Sequence, residues 1–325
     1  MSTSRTGVLL SPMATSLAFL AIVIVCGIAL APRFLTAANL AGVSSGLVAP
    51  AVILLAACLA MTGGVTDLSL GSVLGLGGVV YATVYQLSES PMAGVGAAAA
   101  AGVAAGLFNG VLSVRFRVWP LIATLGMLVA ARGLVSVISG GGSVSAYTPQ
   151  LSAALKTAVG PIPVALVGVV VLALLVGWVI KRTRWGNHLR AVGGDDVAAR
   201  RAGIPADRVR LLLFVVVSLV AALAGTLQVM RTGAAAVNLG EGTELLVYGA
   251  LLISGYRLAG GGRGSALSGL VCLFALELIR NIFRLRGLPL PLTDVLLGLT
   301  LIGAVGLDLV RGRVRRPLTA QPATG

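Results

Sequence analysis

The chain has 325 residues, of which 57% are hydrophobic and 10% charged, against about 25% charged in a typical soluble domain. A mean hydropathy of +1.01 over the whole length excludes a soluble globular enzyme, because one buried core cannot shelter that much apolar surface. The formal charge of +14 does not indicate nucleic acid, since the basic residues lie in short patches between apolar runs, with anionic lipid headgroups as their counter-ions.

Taking about 20 apolar residues as one span, the sequence predicts an all-α polytopic fold of about ten transmembrane helices. They fall at roughly 15–31, 40–61, 73–87, 92–114, 118–138, 161–180, 211–230, 243–256, 265–279 and 288–307. The third, eighth and ninth are short. The first ends in Ala29-Leu30-Ala31, which also fits a signal-peptide cleavage site. Its leader carries little charge beyond Arg5, so a retained first helix is expected. Residues 1–14 then form a cytoplasmic leader, 15–310 one membrane domain, and 311–325 a disordered cytoplasmic tail.

Orientation follows from the placement of lysine and arginine. With the amino terminus inside, 17 of the 24 Lys and Arg residues fall on the cytoplasmic side, eight of them in the loop 181–210. Such a bias places both termini in the cytoplasm and requires an even number of spans.

Four interior features stand out in chain order. Residues 62–72, TGGVTDLSLGS, interrupt two apolar runs with glycines and the carboxylate of Asp67. Irregular backbone near membrane depth is tolerated where it is buried in protein or lines a watery cavity. Asp67 or Ser69 therefore caps a helix start, contributes to a solute path or gate, or does both. Next, Gly102, Gly106 and Gly110 recur every four residues, which puts them on one helix face for close packing or for a mobile gate surface. Further on, Arg132 lies well inside a span, where it either snorkels or lines a cavity. Glu277 and Arg280 sit one turn apart and read as a structural ion pair.

The loop 181–210 carries the densest local signals. Gly194 precedes Asp195 and Asp196, which can cap a helix start, and VAARRA is helix-competent. Gly203 can end that helix in a left-handed turn, and Pro205, after Ile204, prevents continuation. A two-turn helix so bracketed is unstable alone in water and needs a surface to dock on. Ala198 and Ala199 would be small to fit such a surface, and Arg200 and Arg201 could meet acidic groups there.

Chemistry of other kinds is missing from the sequence. Cys26, Cys58 and Cys272 lie inside apolar runs with no CxxC spacing, and His188 is the single histidine, so no metal site, disulfide or cofactor is expected. No GxxxxGK[ST] phosphate loop, HExxH or GxSxG occurs. A membrane-bound enzyme or simple anchor therefore has nothing to build on. A self-contained secondary transporter or channel would draw on Asp67, Arg132, Glu244, Glu277 and Asp294 as ionisable groups.

The blocks GVTDLSLGS, NGVLSVRFRVWPLIATLGMLVAARGL, TRWGNHLRAVGGDDVAARRAGI and GTELLVYGALLISGYRLAGGGRGSALSGL together resemble the permease subunits of ribose-type ABC importers, the carbohydrate-uptake branch. The likeness runs from about residue 39 to residue 308. It implies a bacterial inner-membrane permease working with a cytoplasmic ABC ATPase and an external solute-binding protein, paired with a second copy or a paralogue. In that family the short helix seats in a groove of the ATPase; here it spans Asp195 to Ala202 and is ended by Gly203 and Ile204. Asp67, Ser69, Asn109, Thr124, Arg132 and Glu244 are the candidate residues of the path or gate.

Overall fold

In the computed structural model, eight helices among the described residues are long and apolar enough to cross a membrane. They are α1 (Pro12–Leu30), α2 (Ala37–Thr62), α3 (Leu70–Ser88), α4 (Pro91–Val114), α5 (Pro120–Ser139), α7 (Val164–Arg182), α10 (Ala206–Thr232) and α12 (Ala266–Leu285). A shorter apolar helix, α11 (Thr243–Ile253), matches the eighth predicted segment but has 11 residues. Three further short helices are α6 (Pro149–Lys156), α8 (Arg184–Gly194) and α9 (Asp196–Arg201). The structure describes residues 11–159, 162–257, 264–289, 292, 295, 298, 299, 302 and 303. Most of the tenth predicted span, residues 1–10 of the leader and the whole tail 311–325 lie outside them.

Helix starts follow local chemistry. Proline opens α1, α4 and α5, where its missing N–H costs nothing. Ser11 and Ser90 accept from the exposed N–H groups of Ala14 and Ala93. At α12, Ser265 and Ser268 exchange hydrogen bonds in a capping box.

The core is the crossing of α3, α4 and α10, flanked by α2, α11 and α12. Gly102, Gly106 and Gly110 lie on the α4 face that meets α10. A Cβ on Gly106 would stand 2.6 Å from Val215 Cα and 2.7 Å from Phe214 O, and one on Gly102 would stand 2.8 Å from Ser218 O. Lipid supplies no hydrophobic drive for helices to associate, so such backbone approach is how they gain dispersion energy.

The periphery is lighter. α1 packs mainly on α12, with Cys272 Sγ donating to Ser16 Oγ at 3.2 Å. Asn39 of α2 and Asn281 of α12 exchange amide hydrogen bonds of 2.9 and 2.8 Å. The ion pair of Glu277 with Arg280 is present at 3.6 Å, and Arg284 reaches the same carboxylate at 3.5 Å. The excursion between α5 and α7 holds α6 and two small antiparallel ribbons. β1 (Val144–Ser145) pairs with β4 (Ala234–Ala235), which follows α10, and β2 (Ala158–Val159) pairs with β3 (Ile162–Pro163).

The α4–α10 seam makes a direct prediction. Gly106→Val forces a branched side chain into backbone and should cost about 1–3 kcal/mol, the usual range for overpacking. Gly96 on the same helix has no atom within 4 Å of an added Cβ, so Gly96→Ala should be neutral. Melting midpoints of both variants in detergent measure the contrast; equal midpoints would show that the seam is not tightly closed.

Candidate functional site

The segment between α7 and α10 folds into two helices that break at the extended Asp195, where the sequence suggested one. Thr183 opens α8 by accepting from Gly186 N–H at 3.0 Å. Leu189 and Val192 of α8 are buried against the bundle, with Trp185 packed beside them. Gly193 sits against the end of α2 so closely that a Cβ there would be 2.0 Å from Thr62 O. The signal for α8 is Trp185, Leu189 and Val192 at helical spacing, masked in the sequence by the glycines around them.

α9 follows at once. Asp195 Oδ1 accepts from Val197 and Ala198 N–H at 2.9 and 3.0 Å. At the other end Gly203 adopts φ of +80°, and Ile204 N–H returns to Ala199 O at 3.0 Å, a helix-ending turn that favours glycine. The two alanines face different ways. Ala199 is 3% exposed and points into the chain, while Ala198 and Arg201 are exposed and Val197 is 57% exposed. Arg200 is engaged within the chain, its two terminal nitrogens 2.9 and 2.6 Å from the oxygens of Asp207.

A second assembly lies directly behind α8. After α2 ends at Thr62, the chain turns through Gly63 and Gly64 and runs back into the bundle before α3 begins. Asp67 is fully buried there. Its Oδ1 accepts the N–H of Ser69 at 2.9 Å and the Ser69 hydroxyl. Its Oδ2 accepts from Ser218 of α10 at 3.3 Å and from Asn109 of α4 at 3.5 Å. Asn109 also donates to Ser69 Oγ at 3.1 Å. The hydroxyl of Tyr248, on α11, accepts the Asp67 N–H at 2.7 Å and donates to the Asp67 carbonyl at 2.9 Å. Ser218 lies twelve residues into α10, roughly 18 Å along its axis, so the carboxyl sits deep within the bundle.

α11 is interrupted in a complementary way. Eleven residues rise about 16 Å, half of a hydrocarbon core about 30 Å thick. The chain between β4 and α11 lies against α3, with Leu239 O 2.6 Å from a Cβ built on Gly75. Arg132 of α5 donates Nη1 to Leu239 O at 2.9 Å. Glu244, in the first turn of α11, places Oε2 where a Cβ on Gly71 would be. Arg132 Nη2 and Glu244 Oε2 are buried atoms without a hydrogen-bond partner in the described structure.

The six path or gate candidates therefore divide. Asp67, Ser69 and Asn109 form one hydrogen-bonded cluster, and Thr124, also fully buried, turns its hydroxyl to Leu121 O at 3.3 Å. Arg132 and Glu244 lie apart from that cluster and are half-buried. Gly194, Asp195, Asp196, Ala198, Arg200, Arg201, Gly203 and Ile204 all belong to the separate α8–α9 turn. Ser218, Tyr248 and Gly193 complete the geometry and carried no signal, since each sits in an apolar or glycine-rich run.

Curated relatives cover nearly the whole chain. It is 30% identical over 285 residues to the ribose import permease of Escherichia coli (strain K12), covering 86% of this chain and 88% of the relative. It is 32% identical over 305 residues to the autoinducer 2 import system permease LsrC of Enterobacter sp. (strain 638), with 93% and 88% covered. The L-arabinose transport system permease AraH of Escherichia coli (strain K12) is 30% identical over 301 residues, with 92% and 90% covered. No solved structure matches the chain. The model of a family described as "branched-chain amino acid transport system / permease component" matches residues 42–305, and the chain belongs to that family.

Proposed function

We propose that this chain is the membrane subunit of an ATP-binding-cassette importer in a bacterial plasma membrane, forming the pathway for a sugar or sugar-like solute. The observation that carries the reading is α9: a six-residue helix, capped at both ends, that projects Val197 and Ala198 outward and rests through α8 on the re-entrant Asp67 segment. Relatives named for ribose, autoinducer 2 and arabinose import support the solute class. An ATPase on the cytoplasmic side, an external solute-binding protein and a second permease, identical or paralogous, complete the transporter. Ten spans, with both termini inside, satisfy the charge bias.

In this reading α9 seats in a groove of the ATPase through Val197, Ala198 and Arg201, while Ala199 holds the helix to its own chain. The pathway passes Arg132 and Glu244. Asp67, Ser69, Asn109 and Thr124 act from beneath it, as the packed support on which α3 pivots. A self-contained transporter is the weaker reading, because the α8–α9 turn then has no partner to serve.

Three measurements test these assignments. With Cys26, Cys58 and Cys272 replaced, a cysteine at Ala198 should react with impermeant thiol reagents in inside-out vesicles alone, and one at Ser145 from the outside alone. Reversed labelling overturns the orientation.

Val197→Glu with Ala198→Glu should weaken ATPase copurification by roughly ten- to a hundredfold, since an interface contact that matters contributes about 1–3 kcal/mol. Membrane abundance should stay normal, as α9 plays no part in spanning. Undiminished copurification means that α9 is a connector.

Asp67→Ala leaves the Ser69, Ser218 and Asn109 donors without their acceptor, each such loss costing up to about 1–3 kcal/mol. Asp67→Asn keeps one acceptor oxygen. Melting midpoints should therefore fall in the order parent, Asn, Ala, and an unchanged Ala variant would show that the cluster does not hold α3.

A further inference from the structure

α9 has little to hold it at a fixed angle. It contains six residues, and Ala199 is its one buried side chain among those described. The link to α10 is a short turn through Gly203 and Pro205. Isolated helices of this length do not persist in water, and a single methyl group cannot fix a direction.

Charge provides what apolar contact lacks. Arg200 meets Asp207 with both prongs of its guanidinium, at 2.9 and 2.6 Å, the two-point geometry that fixes orientation as well as distance. Asp196, one turn earlier, accepts from Arg200 Nε at 3.4 Å and from Arg210 Nη1 at 3.2 Å. The four side chains alternate in sign, Arg210, Asp196, Arg200, Asp207, and join both ends of α9 to the first turns of α10. These side chains are between 29% and 54% exposed. A lone ion pair so exposed contributes little to stability. A bidentate pair within a network instead restricts angle.

We propose that Arg200 is a positioning residue, which clamps α9 to the start of α10 so that force applied at Val197 and Ala198 reaches α10 instead of being absorbed by the turn at 202–205. The inference rests on the reading of α9 as the docking helix. It withdraws Arg200 from the side chains offered to the ATPase, leaving Arg201 as the outward cation of α9. Because α10 carries Ser218 and crosses both α3 and α4, the clamp connects the docking surface to the buried Asp67 cluster.

The test uses the full-length chain with spin labels at Val197 and Leu212, both exposed, and the distance distribution between them. Copurification of the ATPase is measured on the unlabelled chain. The parent should give one narrow distribution. Arg200→Gln and Asp207→Asn should each broaden it and each weaken copurification by about tenfold, and the double variant should be no worse than either single, since both remove the same interaction. Arg200→Lys keeps the charge without the fork and should fall between.

A distribution that stays narrow in both single variants overturns the clamp, as does an additive double variant. Broadening with copurification unchanged overturns its role in docking. Failure of the underlying reading looks different: the Val197→Glu, Ala198→Glu chain would then bind the ATPase normally. If that chain loses binding while Arg200→Gln matches the parent in both measurements, the clamp alone falls.

Discussion

A carboxyl group enclosed among transmembrane helices must find its hydrogen-bond donors within the protein, because hydrocarbon provides none. Asp67 meets that demand with donors from three places: the start of α3, α4 and α10. Tyr248 adds α11 by gripping the backbone of the same residue from both sides. Four helices thus converge on one residue, three at its side chain and one at its backbone, and none can shift far without stranding a polar group. Each stranded group costs about 1–3 kcal/mol, comparable to the effect of a typical damaging mutation. The cluster is therefore both a brace and a place where two arrangements of the bundle would differ sharply in energy.

The interruptions of α2–α3 and of α11 follow from that brace. Backbone that leaves a helix inside a membrane has to be enclosed by protein, and here each irregular stretch is covered. The turn after α2 lies under α8, with Gly193 against Thr62. The stretch before α11 lies against the glycines of α3 and is held by Arg132 at the Leu239 carbonyl. Gly193, Gly71 and Gly75 matter here for lack of volume, whereas Gly64, Gly240 and Gly242 supply the positive φ of the turns themselves. The consequence is geometric: the α8–α9 turn touches the re-entrant segment directly, with Gly193 against Thr62 and Gly64, so displacement of α8 has no compressible layer in which to be lost.

Much of this architecture is legible in the sequence, and what is not has identifiable causes. Long apolar runs bounded by proline or serine located the first nine segments to within about six residues at each end, and the third and ninth, short in the sequence, form helices of 19 and 20 residues. The eighth really is short. The capped ends of α9 could be read because Asp195, Gly203 and Pro205 act on their immediate neighbours. Ser218 and Tyr248 could not be read as partners of Asp67, since 151 and 181 residues separate them from it and each sits in an otherwise ordinary apolar run. Which way Ala198 and Ala199 face was equally hidden. Adjacent residues on a helix differ by about 100°, and only the packing of α9 on its own chain selects the buried one.

The half-length of α11 bears on how the protein is made. Eleven residues fall well short of the 20 or so that partition into a bilayer as an independent span. A nascent segment of that length has no stable position in lipid by itself, and its first turn carries the carboxylate of Glu244. It has to be held by other helices, and its contacts with α12, α2 and α3 name them. α2 and α3 leave the ribosome long before it, whereas α12 leaves after it. Membrane integration of this region is therefore a cooperative event that waits for α12, and a chain truncated before residue 266 should leave α11 unanchored although every residue of α11 itself has been synthesised.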